Sequence, residues 1–371
     1  MTDGVRTYTV ESPEATEVFI SAVPRPGQPV EAEASRIFQA IRDRLSSTRG
    51  AGLFQERLFG TEAVMGPLRA VRAQCYGSID DGVPPSELVC APSHVGPWAG
   101  VQVHAIASGT RPQVIRGSGG VACGRLVQAG PCRYLGLSAI SAPQAGDPHQ
   151  QARAMFEQAH GLLQAQGVSF LAVPRTWIWL HDINAWYDRF NLARNTFFTD
   201  CGILGATVRP PMPASTGIGL SPADGAACAM DLTAVVEPAK AIDYLQAAGR
   251  QQSAYEYGSA FSRASRAVTP AGRTVFVSGT ASIDRQGRTV HVGDARGQIQ
   301  TTLDNVLAVL ADMHCRTGDV VQALAYCKTP EVETAFETVR GTVDWPWISM
   351  ICDVCRPELL FEIEVLAISR E

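Results

Sequence analysis

Residues 275–282 read VFVSGTAS, and two earlier stretches resemble them: VFISAVP at residues 18–24 and YLGLSAIS at residues 134–141. Each stretch is a short apolar strand pattern that ends in small residues. Each leads, through a connection that contains glycine or proline, into a helical pattern. Self-similarity of this kind indicates a fold made of repeated supersecondary units. The sequence therefore predicts three copies of one strand–helix unit.

The helical patterns that follow are VEAEASRIFQAIRDRL, QQARAMFEQAHGLL and GQIQTTLDNVLAVL. Their apolar residues recur every three or four positions, as at Ile37, Ile41 and Leu45, which indicates one buried face per helix. Each unit continues with a second strand, a second helix and two closing strands. The closing segments VQVHAIA and FEIEVLA alternate with a period of two, as half-buried strands do. This order predicts an α+β fold in which helices cover one face of a mixed sheet.

We expect the three repeats at residues 1–109, 118–236 and 253–371, with the first the most divergent. The segment 109–118 is polar and rich in glycine, proline and arginine, as a linker is. The segment 237–252 is compatible with a short helix that joins two units. Three units in one chain imply seams between them, where a functional site is expected.

Bulk composition excludes several classes of function. The chain has 371 residues, a net charge of −5 and a pI near 5.8, so no electrostatic argument favours a nucleic-acid partner. No apolar run approaches the roughly 20 residues of a membrane span. The first residues lack a signal-peptide pattern, and the ten cysteines fit a reducing compartment, so a cytoplasmic location is expected. Cys352 and Cys355 form a C-x-x-C without a second pair at zinc spacing, so no metal is expected.

Two carboxylates stand out in the last strand. Glu362 and Glu364 are two positions apart, so both side chains lie on one face. We compare them with Val101 and Val103 in the first repeat and with a single Asp231 in the second. Close carboxylates in a partly apolar cleft raise the pKa of at least one of them, which suits a general acid. The alternative is that one or both carboxylates pair with arginines across a seam.

Two arginines are candidates to bind a carboxylate, because a guanidinium group matches a carboxylate in bidentate geometry. Arg175 lies in an otherwise apolar strand, where an unpaired charge is costly, so a role at a seam or a ligand is favoured. Arg194 follows Tyr187 by seven positions, so the two share a helix face. For Tyr187 a hydrogen bond to the same ligand and a packing role are both open.

The strand and helix order resembles the Rid/YjgF family, most clearly over residues 273–369, and repeats two and three resemble the chorismatase family of bacterial secondary metabolism. The motifs that carry the second resemblance are RTWIWLHDINAWYDRFNLAR at 175–194, PASTGIG at 213–219, SAY at 253–255, FSRA at 261–264, CR at 355–356 and LLFEIE at 359–364. The Rid resemblance implies a covalent pseudo-trimer with ligand sites in the clefts between units. Such a chain has less need of partner subunits than a single-unit protein, so a monomer is favoured.

The chorismatase resemblance implies a catalytic acid at Glu362, with Glu364 beside it. That acid protonates the methylene carbon of an enolpyruvyl ether, and water or the substrate's own ring oxygen attacks the resulting oxocarbenium ion. Cys355 resembles the branch of the family that forms 3-hydroxybenzoate, although a buried structural cysteine is an equal alternative. The residues implied in substrate binding are Arg175, Tyr187, Arg194, Ser215, Thr216, Gly217 and Arg263. The chemistry requires a small carboxylated substrate and no cofactor.

The chain departs from the chorismatase pattern at one point. The family has Tyr-Gly-Pro-Arg before the Phe-Ser-Arg segment, whereas here Tyr257 and Gly258 run directly into Ser259. Three hypotheses are therefore open: a chorismatase-like lyase or hydrolase, a Rid-like enzyme that processes an enamine or imine, and a non-catalytic ligand-binding pseudo-trimer. In the second hypothesis Arg356 would hold the substrate carboxylate.

Overall fold

Three six-stranded sheets form the fold, and each packs two long helices against one face. The computed structural model describes residues 4–205, 207, 209–248 and 251–370. The mixture of helices and sheets, repeated three times, confirms the predicted α+β fold of three Rid-like units in one chain.

The first unit runs from the amino terminus to the first closing strand. Its elements are β1 Val5–Glu11, β2 Thr16–Ala22, α1 Val30–Ser47, β3 Ala51–Gly60, α2 Glu62–Tyr76, β4 Ser86–Val89 and β5 Trp98–Ala107. Strands β1 and β2 form an antiparallel hairpin, and β5 lies between β2 and β3. Strand β4 runs parallel to β3.

The second unit repeats this plan. Its elements are β6 Gln113–Arg116, β7 Ala122–Ala129, β8 Cys132–Ser141, α3 Pro148–Gln164, β9 Arg175–Leu180, α4 Ile183–Asp200, β10 Ala214–Ile218, β11 Ser221–Pro222 and β12 Cys228–Glu237. The short β11 does not join its own sheet but pairs with β4 of the first unit. The first two units are therefore linked by backbone hydrogen bonds.

The third unit contains the remaining elements. They are β13 Ile242–Leu245, β14 Ala264–Thr269, β15 Gly272–Ala281, α5 Ala295–Asp312, β16 Val320–Cys327, α6 Pro330–Val339, β17 Trp347–Ile351 and β18 Phe361–Ile368. The helix considered for the segment 237–252 is not present in its described part. Residues of β13 instead pair with β14, because an edge strand satisfies their backbone groups.

The helices begin where the sequence supplies caps. The side chain of Asp147 accepts a hydrogen bond from the backbone N–H of Gln150, and the side-chain oxygen of Gln150 accepts one from the backbone N–H of Asp147. Pro148 occupies the first turn of α3. Asp294 caps α5 and Thr329 caps α6 in the same manner. Because these caps satisfy backbone groups that a helix end leaves open, they fix the start of each helix.

Each unit has its own apolar core between helices and sheet, and a further core lies where the three sheets meet. Phe54, Trp177 and Phe276, one from each unit, belong to this shared core. The sheet faces away from the helices therefore form the seams between units. Among the described residues no helix is both long enough and apolar enough to cross a membrane.

Candidate active site

A cavity of about 160 Å³ lies at the seam between the second and third units. Its wall is formed by Tyr187, Asp188, Asn191, Arg194, Ser215, Gly217, Ser259, Phe261, Arg263, Gly279, Ala281, Ile283, Cys355, Arg356, Leu359 and Glu362. Helix α4 and strand β10 supply the side of the second unit. Strands β15 and β18 and the loops before β14 and β18 supply the side of the third unit.

Glu362 is the acid of this cavity. It lies on β18 between Ala281 of β15 and Tyr326 of β16, and it is 4% exposed. No hydrogen bond to its carboxyl group is found within the described residues. Burial, followed by the nearby charge of Glu364, raises the pKa of Glu362 to about 8. The carboxyl group therefore carries a proton at neutral pH, as a general acid must.

Gly279 makes room for this carboxyl group. It lies in the VFVSGTAS stretch, at an irregularity in the pairing of β15 with β18 between Val277 and Thr280. A side chain at Gly279 would overlap Oε1 of Glu362 and would lie 3.0 Å from Cγ2 of Thr216. The small residue in the repeated motif thus allows the acid to reach the cavity.

Three arginines give the cavity its positive charge. Arg194 is 1% exposed and donates to Oδ1 of Asn191 at 2.6 Å, and Arg263 is 2% exposed. Arg356 donates to the backbone oxygen of Gly287 at 2.8 Å. The positive charges of Arg263 and Arg356 lower the pKa of Glu362 and so oppose part of the rise that burial causes. Three guanidinium groups around one protonated acid favour an anionic ligand.

Phe261 links two of these arginines. The guanidinium carbons of Arg194 and Arg263 lie 5.8 and 5.5 Å from the centre of its ring. Contacts of this kind stabilise a partly desolvated cation. The ring therefore helps to hold both arginines in the wall of the cavity.

Cys355 faces the same cavity. Burial raises the pKa of its thiol to about 12, and the charge of Glu362 acts in the same direction. The thiol is therefore neutral and able to donate a hydrogen bond rather than to act as a thiolate nucleophile. Tyr187 covers the other side, where its ring lies 3.6 Å from the position that a side chain at Gly217 would take.

Arg175, Thr216 and Glu364 form a network behind the cavity wall. Nη2 of Arg175 donates to Oε2 of Glu364 at 2.7 Å and to Oγ1 of Thr216 at 2.6 Å. Trp177 donates its indole hydrogen to Oε1 of Glu364 at 2.7 Å, and the backbone of Gly279 donates to Oγ1 of Thr216 at 2.9 Å. Arg175 is completely buried. The network fixes β9, β10, β15 and β18 against one another directly beneath the acid.

The structure therefore brings together most of the residues expected from the sequence. Those in the cavity wall are Tyr187, Arg194, Ser215, Gly217, Arg263, Cys355 and Glu362. Arg175, Thr216 and Glu364 lie behind the wall because they bond to one another. Glu364 thus forms an ion pair with Arg175 across the seam, which was the alternative to a catalytic role.

Sequence reasoning missed several residues of the wall. Asn191 could have been found, because it lies four positions after Tyr187 and three before Arg194, on the same face of α4. Asp188 directly follows Tyr187, so helical spacing does not predict it on that face. Ser259 and Gly279 carry no signal of their own, because a loop and a strand irregularity bring them into the wall.

The comparison of Glu362 and Glu364 with Val101 and Val103 was wrong. Strand pairing aligns Glu362 with Gly100 and Glu364 with Gln102, because Val101 and Val103 face the helices in the core of the first unit. In the second unit the corresponding residues are Ala229 and Asp231. Asp231 pairs with Arg57 of the first unit at 2.9 Å. The third unit is still the one that carries two carboxylates at these places.

Three comparisons with known proteins bear on this arrangement. The family model Endoribonuclease L-PSP matches residues 257–369. A chorismatase from Streptomyces hygroscopicus is 28% identical over 236 residues, which cover 57% of this chain and 65% of that protein.

Solved structures add a match over nearly the whole chain. A chorismatase crystal structure aligns with 97% of this chain and 99% of its own, at a TM-score of 0.64 and 21% identity. A Rid-family protein of unknown function from Yersinia pestis aligns with 35% of this chain and 100% of its own, at a TM-score of 0.30 and 18% identity.

The three sheets and their seams thus define a pseudo-trimer of Rid-like units. The chain is similar to chorismatase in sequence and in fold, which confirms the resemblance expected from the sequence.

Proposed function

We propose that this protein is a chorismatase-like enzyme that releases pyruvate from chorismate or a close enolpyruvyl relative, with Glu362 as the general acid. The observation that carries the proposal is a protonated, buried Glu362 in a cavity walled by Arg194, Arg263 and Arg356. Chorismate carries two carboxylates and an enol ether, so it requires cationic partners and a proton donor. Arg356 offers a cationic partner despite the absence of the Tyr-Gly-Pro-Arg arginine.

In this mechanism Glu362 transfers its proton to the methylene carbon of the enolpyruvyl group. The carbon–carbon double bond becomes a methyl group and an oxocarbenium ion, and Glu362 becomes a carboxylate. In the hydrolytic branch water adds to the oxocarbenium carbon and returns a proton to Glu362, and the hemiketal collapses to pyruvate and a cyclohexadiene diol. In the other branch a hydroxyl group on the substrate ring adds to the oxocarbenium carbon and returns its proton to Glu362, which gives a cyclic ketal. Cleavage of one ring carbon–oxygen bond and transfer of a ring proton to the released oxygen make the ring aromatic, and the resulting hemiketal collapses to pyruvate and 3-hydroxybenzoate without net consumption of water. The carboxylate formed at Glu362 stabilises the cation beside it.

Arg175, Thr216 and Glu364 act as positioning residues in this proposal. Their hydrogen bonds join the strands that carry Glu362 and Gly279, and their charges tune the acid. A direct contact of Arg175 with substrate stays a prediction from the sequence.

Turnover of chorismate with identification of products tests the proposal. The purified chain should release pyruvate from chorismate, measured by coupling to lactate dehydrogenase, with the ring product identified by liquid chromatography and mass spectrometry. Absence of pyruvate release under conditions in which the chain is folded would refute the proposed substrate.

The activity should depend on pH in a defined direction. Because the protonated form of Glu362 is active and its pKa is about 8, kcat/KM should be flat below about pH 8 and fall about tenfold per pH unit above it. Bound carboxylates disfavour ionisation of the acid, so kcat should begin to fall at a higher pH than kcat/KM. Steady-state kinetics from about pH 6 to about pH 10 measure both. A kcat/KM that rises through pH 8 would show that the ionised carboxylate is the active form.

Cys355 should determine the partition between the two products. Its neutral thiol lines the same cavity as Glu362, where it can assist attack by the ring oxygen. Cys355→Ala should lower the ratio of 3-hydroxybenzoate to diol while pyruvate release continues, whereas Cys355→Ser keeps a proton donor and should retain part of the ratio. The measurement is the ratio of 3-hydroxybenzoate to diol at equal amounts of pyruvate released. An unchanged ratio in Cys355→Ala would assign the cysteine to packing alone.

A second candidate function uses the same cavity. Arg356 lies in its wall, where it can hold the carboxylate of an enamine or imine while Glu362 protonates the substrate. A panel of amino-acid-derived enamines and imines, generated in the assay, distinguishes this activity from chorismate turnover through release of ammonia instead of pyruvate.

A further inference from the structure

A second cleft, with a volume of about 350 Å³, lies at the seam between the third and first units. Helix α6 and strand β17 face β2 there, just as α4 and β10 face β15 in the candidate active site. Its wall includes Arg6, Ser21, His94, Arg340, Asp344 and Trp347. The repeated architecture thus places a second cavity at a corresponding seam, with side chains of its own.

This cleft cannot repeat the chemistry proposed for the first. Gly100 occupies the place that pairing gives to Glu362, and a side chain there would overlap the backbone oxygen of Ala22 and lie 3.2 Å from Ile348. The buried carboxylate comes instead from Glu333 of α6, which is 1% exposed. It accepts from Oγ of Ser349 at 2.5 Å and pairs with Nδ1 of His94 at 2.9 Å.

Charges of both signs line the cleft in pairs. Arg6 lies 2.5 Å from Asp344, and Arg340 lies 2.9 Å from Glu337. The ion pair with Glu333 raises the pKa of His94. Because each cation already has a carboxylate beside it, a simple anion gains little here. A ligand that carries both a cation and an anion matches such a wall.

The cleft also offers an apolar wall and a hydroxyl group. The guanidinium carbon of Arg340 lies 4.7 Å from the ring centre of Trp347, so the indole is held in place at the cleft. Ser21 is 2% exposed, and its Oγ has no hydrogen-bond partner within the described residues. Its counterpart in the third unit, Ser278, is satisfied by Ser215 and Ser262. A buried hydroxyl group without a partner is costly, and a ligand oxygen would satisfy it.

We infer that this second cleft binds a small zwitterion, namely an α-amino acid with an apolar side chain. Its carboxylate accepts from the hydroxyl group of Ser21 and lies toward the imidazole ring of His94. Its ammonium group lies toward the carboxylates of Asp344 and Glu337, and its side chain packs against Trp347. The inference concerns a site distinct from that of Glu362 and does not require that chorismate is the substrate.

Isothermal titration calorimetry with three matched probes tests the inference. L-phenylalanine carries both charges, 3-phenylpropionate lacks the amine, and phenethylamine lacks the acid. L-phenylalanine should bind at one site per chain, and each of the other two should bind at least about tenfold more weakly at that site. Absence of phenylalanine binding, or equal binding of 3-phenylpropionate, would overturn the inference.

Variants assign the binding to the cleft. Ser21→Ala removes a single oxygen and should weaken phenylalanine binding about 5- to 30-fold. Asp344→Asn changes an exposed rim residue, so folding is not at risk, and it should weaken binding about threefold to tenfold. Glu362→Gln and Arg263→Ala, in the other cavity, should leave binding unchanged. If the Glu362 and Arg263 variants lose binding while the Ser21 and Asp344 variants keep it, the amino acid binds in the active-site cavity and the inference is wrong.

Discussion

Glu362→Gln should lower kcat for chorismate by about a hundredfold to ten-thousandfold, the range that a positioned general acid contributes. Glutamine keeps the shape of the side chain and its place against Gly279, but it has no proton to transfer to carbon. KM should change little, because the arginines of the wall remain. The measurement is pyruvate release under single-turnover and steady-state conditions.

The same variant should fold at least as stably as the parent. Folded Glu362 holds its proton up to about pH 8, whereas in the unfolded chain it loses the proton near the ordinary glutamate pKa of 4.5. Folding at pH 7 therefore requires proton uptake at an unfavourable pH, and stability falls as pH rises between the two values. Removing this group should raise the free energy of unfolding at pH 7 by about 1–3 kcal/mol.

This combination of lost activity and kept stability separates catalysis from structure. Denaturant titration at pH 7 and circular dichroism provide the structural control. If Glu362→Gln retains full turnover, the proposed mechanism is wrong whatever the substrate. If it loses both turnover and stability, Glu362 is a structural residue.

The sequence revealed Glu362 because it stands in an alternating strand where a carboxylate is out of place, and because a family motif surrounds it. The role of Gly279 was not visible, although the residue lies in the repeated motif that predicted the fold. It depends on a strand irregularity that only pairing with β18 reveals. Ser259 lies in a loop, whose course follows from tertiary packing rather than from local pattern.

The error at Val101 has a physical cause of the same kind. In a strand, a shift of one residue moves every side chain to the opposite face. The sequences of the three closing strands can be aligned in two registers that differ by one residue. Only the pairing of β5 with β3 shows that Gly100 and Gln102 face the seam. The fold and the number of repeats can be predicted from the periodicity of apolar residues. Which side chains face a seam can be predicted only when the strand register is known.

Glu364→Gln should be among the most destabilising single substitutions in the chain. It leaves the guanidinium group of Arg175 completely buried and without its carboxylate, and Nε and Nη1 of that group already lack hydrogen-bond partners within the described residues. Breaking a buried ion pair in this way costs about 3–5 kcal/mol. The expected fall in the thermal midpoint is about 4–6 °C, measured by calorimetry.

Arg175→Met should cost less than Glu364→Gln. In Arg175→Met, Glu364 keeps the hydrogen bond from the indole N–H of Trp177, whereas in Glu364→Gln the buried guanidinium group has lost its only described carboxylate. The double variant should be more stable than the sum of the single effects indicates, because both buried charges are then removed. The matched control is Glu157→Gln on α3, which breaks an exposed pair with Arg153 at 2.6 Å and should cost well under about 1 kcal/mol.

Glu364→Gln and Arg175→Met should also shift the pH dependence of kcat/KM in opposite directions. The charge of Glu364 raises the pKa of Glu362 and that of Arg175 lowers it. In Glu364→Gln the raising charge is gone and the cation remains, so the fall of kcat/KM should move below pH 8. In Arg175→Met the lowering charge is gone, so the fall should move to higher pH as long as Glu364 stays ionised. A merely structural network would change the midpoint of unfolding and leave the pH profile where it was, whereas shifts of opposite sign show that the pair behind the wall tunes the acid in front of it.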